Sequence, residues 1–496
     1  MAIISRASLL GLVVARLLPC AAGHDLLGPK EAVGGPPKPT TAQLQMMDMG
    51  LSVFMHFSVN PWSSIEHNCV GKSPQCIPAS VFDPGNLSTD QWVEAAVAMG
   101  AGEICLTAHH EGGFCLWDTK YSNYSVMHSP YGKDVVAQFV ASCKKYGVKP
   151  CYYMGPNANG WLTNNQSYSA TAFVDAQLGM LRELLTAYGT DYVSRLWWDH
   201  YPYGCGGLAP CPEGSFPAAW PRFVQMVREL SPSTLICPGP DCDGHGNESG
   251  LGSYPVWFPC TPESAHGTEL RCGGHAPSSK LAGFHPYEAC ATMHNGWFCK
   301  GTGEERENTY WSPGEIWDHY MSSVGIGWVN TLNAPPGTTG QIPASLVRSM
   351  TAFGSALRAL QRPVSLAARA EGVSVQCRNS TPYVLDMGAV REFNAVITRE
   401  DLSLGQRVAA YAIDYLDPES GSWRAFPALP PKRTSGTGVH GLSVGAQMID
   451  FVPRTAARRV RFRCTASLAE DGGALLKSFS VHKGERPAEA EREILI

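Results

Sequence analysis

The sequence predicts an α/β protein, a (β/α)8-like barrel followed by a C-terminal β-sandwich. Three observations lead there. Short apolar runs alternate with amphipathic helical ones between residues 51 and 360, the pattern of a parallel sheet with helices packed outside it. A chain of 496 residues has room for one large barrel and an appendage. Beyond residue 363 the texture changes to short alternating segments, VSVQCR, QRVAAYAIDYL and RRVRFRC among them, divided by turn residues. That is how a small sandwich reads.

Taken in order, residues 1–23 predict a secretory signal, with a positive Arg6, an apolar stretch from Leu9 to Ala15 and a small-residue exit at Ala21-Ala22-Gly23. Residues 24–40 form a Pro/Gly-rich leader without periodicity, and the barrel is assigned to 41–362. Its strand-like runs are 51–57, 103–108, 148–154, 193–198, 234–238 and 326–332. Helical patterns lie between them at Asp90–Gly100, Asp134–Tyr146, Thr171–Tyr188, Pro217–Leu230 and Pro313–Val324, with Pro343–Leu360 after the last. Ser88-Thr89 supplies a cap for the first helix and Gly100 stops it. The Gly/Cys/Pro-rich stretch 250–300 conceals any further strands. The sandwich is assigned to 363–485 and a polar tail to 486–496.

Composition narrows the function. Hydrophobic residues make up 44% of the chain, charged residues 16%, and the net charge is -5 with no basic run. A nucleic-acid partner needs an electrostatic footprint that this chain lacks. After the leader no run reaches the roughly 20 apolar residues of a membrane span. Of 17 cysteines, Cys20 falls in the signal, leaving 16. The close spacings Cys69/Cys76, Cys205/Cys211, Cys260/Cys272 and Cys290/Cys299 suit disulfides in an oxidising compartment, and Cys377/Cys464 suits a staple in the sandwich. Cys105, Cys115 and Cys151, in or beside strands, are expected as buried free thiols. Sequons at Asn86, Asn123, Asn165, Asn247 and Asn379 fit a secreted, extracellular or lysosome-like route. No C-x-x-C pair points to zinc, and neither metal nor cofactor is expected.

Polar residues gather where the strands end. His56 closes the first run, His109-His110 the second and Tyr152-Tyr153 the third. Asp199 follows the fourth, Asp241 and Glu248 the fifth, and Asn333 ends the sixth. In a β/α barrel that rim builds the active site. The inventory is carboxylates, histidines and tryptophans. Sugars present C–H faces that stack on rings and hydroxyls that need directed hydrogen bonds. A phosphate would need a glycine nest or an Arg/Lys clamp, and neither is evident.

The stretch AGEICLTAHHEGGFCLWDTKYSNYSV resembles the signature of α-L-fucosidases of glycoside hydrolase family 29, as do LSVFMHFSVN, WWDH and VNTLNAPPGTTGQIP. GPDCDGHGNESG and FHPYEACATMHNGWF resemble the branch favouring α-1,3/1,4-linked fucose. The resemblance spans about residues 42–360 and implies a retaining exo-hydrolase of fucosylated oligosaccharides or glycoproteins. It implies Asp199 as nucleophile and Glu248 as acid/base, with Glu288 as the fallback acid and otherwise a residue holding the pocket. His56, Glu66, His109, His110, Tyr153, Trp197 and Trp297 are implied as sugar-binding residues. Strand alternation puts Trp197 on the same side as Asp199 and sends Trp198 under the helices. His67 stands where the family more often has Trp. A glycan on Asn247 would obstruct the acid, so Asn247 is expected to be unmodified. Two rivals remain: a fucose-binding protein that has lost catalysis, and a metal-dependent barrel hydrolase.

Overall fold

The computed structural model describes residues 35–63, 65–69, 76–155, 158–165, 169–189, 191–199, 216–242, 248–260, 283–303, 309–377, 381–426 and 441–488. The signal, most of the leader, Cys205, Cys211, Cys272, Asn247, Asn379 and the end of the tail lie outside these residues.

The first part runs α1 (Thr41–Met49), β1 (Leu51–Met55), α2 (Thr89–Met99), β2 (Glu103–His109), α3 (Val135–Tyr146), β3 (Lys149–Met154), α4 (Gly160–Asn165) and α5 (Ala170–Thr186). It continues with β4 (Arg195–Trp198), α6 (Phe216–Leu230), β5 (Leu235–Cys237), β6 (Pro259–Cys260), β7 (Gly283–Phe284), β8 (Glu288–Thr292), α7 (Pro313–Met321), β9 (Val329–Asn333) and α8 (Ala344–Leu360). Local chemistry sets the helix ends. Ser88 Oγ accepts from Gln91 N at the start of α2, and Gly100, at φ 100°, closes it in the left-handed conformation. Ser312 and Glu315 form a reciprocal capping box on α7.

Seven parallel strands form one sheet in the order β5-β4-β3-β2-β1-β9-β8. The strand β8, from the Gly/Cys/Pro-rich stretch whose strands composition conceals, is one edge. Its neighbour there is a loop: Gly250 N donates to Cys290 O at 2.9 Å. Outward-facing residues pack against the helices in one large core that includes Leu106, Tyr152, Leu196, Trp198 and Leu332.

From Arg369 onward the chain is antiparallel. Strands β10 (Arg369–Gln376), β11 (Tyr383–Glu400), β12 (Val408–Leu416), β13 (Trp423–Ala425), β14 (Met448–Ser467) and β15 (Gly473–His482) make one six-stranded sheet, order β10-β15-β11-β14-β12-β13. Its two long strands, β11 and β14, shift register between Asp386 and Arg391, where the sheet bends over its own core of Val375, Leu385, Phe462 and Phe479. It also braces the barrel. Ala395, Ile397 and Ile449 join the barrel core, and Arg486 pairs with Asp318 at 2.8 Å.

Among the described residues there are four disulfides, Cys69–Cys76, Cys105–Cys151, Cys237–Cys242 and Cys377–Cys464, a number that fits an oxidising compartment. Two expectations fail. Cys105 and Cys151 are not free thiols, because the parallel register of β2 and β3 sets them side by side. Cys290 and Cys299 form no disulfide and are buried, with Cys290 inside the barrel on β8. Cys115 is free as expected. No described helix is long and apolar enough to cross a membrane.

Candidate active site

Side chains inside the barrel stack in layers, as strand alternation requires. The lowest layer is ionic. Arg195 Nη2 lies 2.6 Å from Glu103 and Nη1 2.6 Å from Glu288, with all three side chains at most 2% exposed. Ser52 and Ser194 also donate to Glu103, at 2.9 and 2.6 Å. Burial alone would lower the Arg195 pKa, but the two carboxylates raise it above its ordinary value, so the guanidinium stays charged. Above this lies a layer of Phe54, Cys105, Cys151, Tyr153, Trp197 and Cys290.

The third layer opens into a cavity of about 410 Å³, lined by Phe54, His56, Glu66, His67, His110, Glu111, Tyr153, Trp197, Asp199, Glu248 and Trp297. Asp199 stands one residue past β4. Tyr153 Oη donates to its Oδ2 at 2.5 Å, and the Tyr153 ring stacks on Trp197 at 5.3 Å with 12° between planes. Burial, then the charge of Asp199, pushes the Tyr153 phenol well above its ordinary pKa; it remains a donor at all working pH values. Trp198 is buried on the other face, edge-on to Trp220 of α6.

His56 bonds through Nδ1 to Asn333 Oδ1 at 3.0 Å and lies against Trp297, centroids 4.8 Å apart. Burial, aided by His110, lowers its pKa to about 3. The ring is a neutral hydrogen-bonding group. Asn333 also fixes Trp297 by donating to its carbonyl at 2.7 Å. Asn60 Nδ2 donates to the carbonyl of Glu66 at 2.8 Å and so shapes the loop that brings Glu66 to the cavity.

Three placements depart from the sequence reading. His109 is fully buried away from the cavity; its Nδ1 meets the His110 carbonyl at 3.1 Å and its ring stacks on Trp117. Simple alternation along β2 would point it inward, but the register of β2 on β3 slips between Thr107 and His109. Such a bulge re-aims the chain, and His110 and Glu111 reach the cavity instead. Glu288 does not line the cavity. Its carboxylate is engaged beneath the floor by Arg195, by Thr331 and by Trp197 Nε1 at 2.8 Å. Asp241 is likewise outside, held by both oxygens to Arg228 at 2.6 and 2.8 Å. Glu111, His67 and Phe54 were not singled out as site residues. Phe54 is legible from alternation, two residues before His56; Glu111 lies past the end of β2, where alternation no longer fixes a side chain's direction.

The described residues that line the cavity include no lysine or arginine to clamp an anionic substrate. No group of three or more His, Cys, Asp or Glu side chains among the described residues is arranged to hold a metal ion. Ring faces, imidazoles and carboxyls from separate strand ends suit a hydroxyl-rich neutral ring, and carboxyl pairs in that setting cleave glycosidic bonds. The fold and site define a glycoside hydrolase. Residues 75–360, more than half of the chain, match the Alpha-L-fucosidase family model, and the chain belongs to that family, glycoside hydrolase family 29.

Relatives agree with this. A rice protein (Oryza sativa subsp. japonica) is 27% identical over 454 residues, 83% of this chain and 82% of its own length. Alpha-L-fucosidase 1 of Arabidopsis thaliana is 26% identical over 425 residues, 78% of each chain. The crystal structure of a glycoside hydrolase 29 family member from an unknown rumen bacterium superposes with a TM-score of 0.74 at 26% identity, covering 93% of this chain and 79% of that one.

Proposed function

We propose that the protein is a retaining exo-α-L-fucosidase in which Asp199 is the nucleophile and Glu248 the acid/base. The observation that carries this is the cavity shared by Asp199 and Glu248, with Tyr153 donating to Asp199 from the barrel floor. Asp199 attacks the anomeric carbon while the Glu248 carboxyl gives its proton to the departing oxygen. Water, deprotonated by Glu248, then breaks the fucosyl–Asp199 ester with net retention. Glu248 holds a φ of 44°, a conformation uncommon for non-glycine residues and recurrent at active sites. Glu288 is unsuited to the acid's role, since a carboxylate ion-paired to Arg195 beneath the floor has no route to a leaving group. His56, Glu66, His110 and Trp297 bind the sugar, and Phe54 and Trp197 supply apolar surface for its faces. The GPDCDGHGNESG and FHPYEACATMHNGWF segments favour α-1,3/1,4-linked substrates.

The test is hydrolysis of an aryl α-L-fucoside beside α-1,2-, 1,3-, 1,4- and 1,6-fucosylated oligosaccharides, with the first-formed anomer read by NMR. Retention and preference for the 1,3/1,4 linkages are expected. Asp199→Gly should lose about 10³-fold or more in kcat and, with azide and an activated fucoside, yield β-fucosyl azide. Near-normal turnover in Asp199→Gly would overturn the assignment.

A further inference from the structure

We propose that Glu111, held in place by His67, accepts a hydrogen bond from one hydroxyl of the sugar and sets which sugars the site admits. This rests on the hydrolase reading above and deepens it. The two residues come from different loops and meet in the cavity wall, His67 Nδ1 to Glu111 Oε1 at 2.5 Å. The Glu111 side chain is 5% exposed, whereas that of His67 is 72% exposed at the mouth. A nearly buried carboxylate is costly unless it is bonded. It accepts about four hydrogen bonds, so one to His67 and one to a ligand hydroxyl are compatible. Glu111 also lies close enough to Tyr153, the donor to Asp199, to act on its titration.

The surroundings fix this pair rather than leaving it mobile. Gly160 N donates to the Glu111 carbonyl at 2.8 Å, and Gly113 N to the His110 carbonyl at 2.8 Å. A Cβ on Gly113 would fall 2.0 Å from Asn159 Oδ1, and one on Gly112 2.8 Å from the Asn68 carbonyl oxygen, so the turn fits its neighbours only as Gly-Gly. On the other side, the chain just after His67 is tied by the Cys69–Cys76 disulfide and anchored by Asn68 Nδ2 donating to Tyr124 Oη at 2.8 Å. A polar group fixed before the ligand arrives discriminates, because a sugar lacking the matching hydroxyl forfeits one charge-assisted hydrogen bond at a nearly buried carboxylate.

The experiment compares wild type, Glu111→Gln, His67→Phe and the double variant on an aryl α-L-fucoside and its 2-, 3- and 4-deoxy analogues. Glu111→Gln should lower kcat/KM on the parent by about 10–100-fold. On one deoxy analogue it should match wild type within about twofold, because the bond is already gone. His67→Phe should give a smaller loss on the same hydroxyl and add little to Glu111→Gln, since it acts through the same contact. Equal losses on all four substrates, or none, would overturn the proposal. Calorimetric binding of L-fucose and its deoxy sugars separates the two readings without turnover. An affinity loss confined to one hydroxyl in Glu111→Gln, in a protein that hydrolyses no fucoside, would uphold Glu111 and overturn the hydrolase reading. A uniform affinity loss would overturn Glu111's role alone.

Discussion

At the lower end of the barrel interior two carboxylates, Glu103 and Glu288, are neutralised by one guanidinium, Arg195. At the upper end four carboxylates, Glu66, Glu111, Asp199 and Glu248, line a cavity with no cationic Lys or Arg among its described walls. The residue types are similar and the strands are the same; what differs is compensation. Below, ionic and hydrogen bonds tie the strand starts together. Above, a phenol holds Asp199 and an imidazole holds Glu111. The floor should therefore govern stability and the mouth turnover.

The largest effect that separates the two ends falls at the mouth. Glu248→Ala should lower kcat about 10²–10⁴-fold on natural linkages, much less on activated aryl fucosides, and leave the urea midpoint unchanged or raised. Steady-state kinetics with two leaving groups checks this. On the floor the pattern inverts. Arg195→Met should destabilise folding by about 3–5 kcal/mol by leaving two buried carboxylates uncompensated. Adding Glu103→Gln and Glu288→Gln should recover part of that loss in denaturant titrations. A floor variant that kept full stability would break the comparison.

Tyr153→Phe sits between the two ends. It removes one hydrogen bond to a charged acceptor and should lower kcat/KM about 10–100-fold, with a small change in stability. The smallest effect concerns pH. Burial pushes His56 down to about 3 and His109 to about 4, below the roughly 6.5 of an unfolded histidine. The unfolded chain takes up the proton first. The contribution is therefore complete above pH 6.5 and is lost as pH falls from there toward 3. Urea midpoints should fall between pH 7 and pH 5, with a shallower slope for His56→Gln, each histidine accounting for about 1–2 kcal/mol over that span.

What the sequence made legible followed from periodicity. Apolar runs located β1 to β5 and β9, helix caps located α2, and alternation put Trp197 inside and Trp198 outside. Hidden features depended on contacts between distant segments. The bulge that turns His109 outward and brings His110 to the cavity is a mismatch between two strands, invisible along either one. The Cys105–Cys151 bond needs the register of β2 on β3, and spacing alone offered Cys290/Cys299, a pair that forms no disulfide. Glu288 reads as a candidate acid until Arg195, 93 residues earlier in the chain, is seen across the barrel.

The central claim is that the side chain of Asp199 forms a covalent bond with the sugar. Incubation with 2-deoxy-2-fluoro-α-L-fucosyl fluoride, whose electron-withdrawing fluorine slows the second step, followed by peptide mass spectrometry, tests it directly. A fluorofucosyl adduct on the peptide holding Asp199, absent from Asp199→Gly, is the outcome expected. Labelling of another carboxylate, or turnover of the reagent with inversion and no adduct, would contradict it.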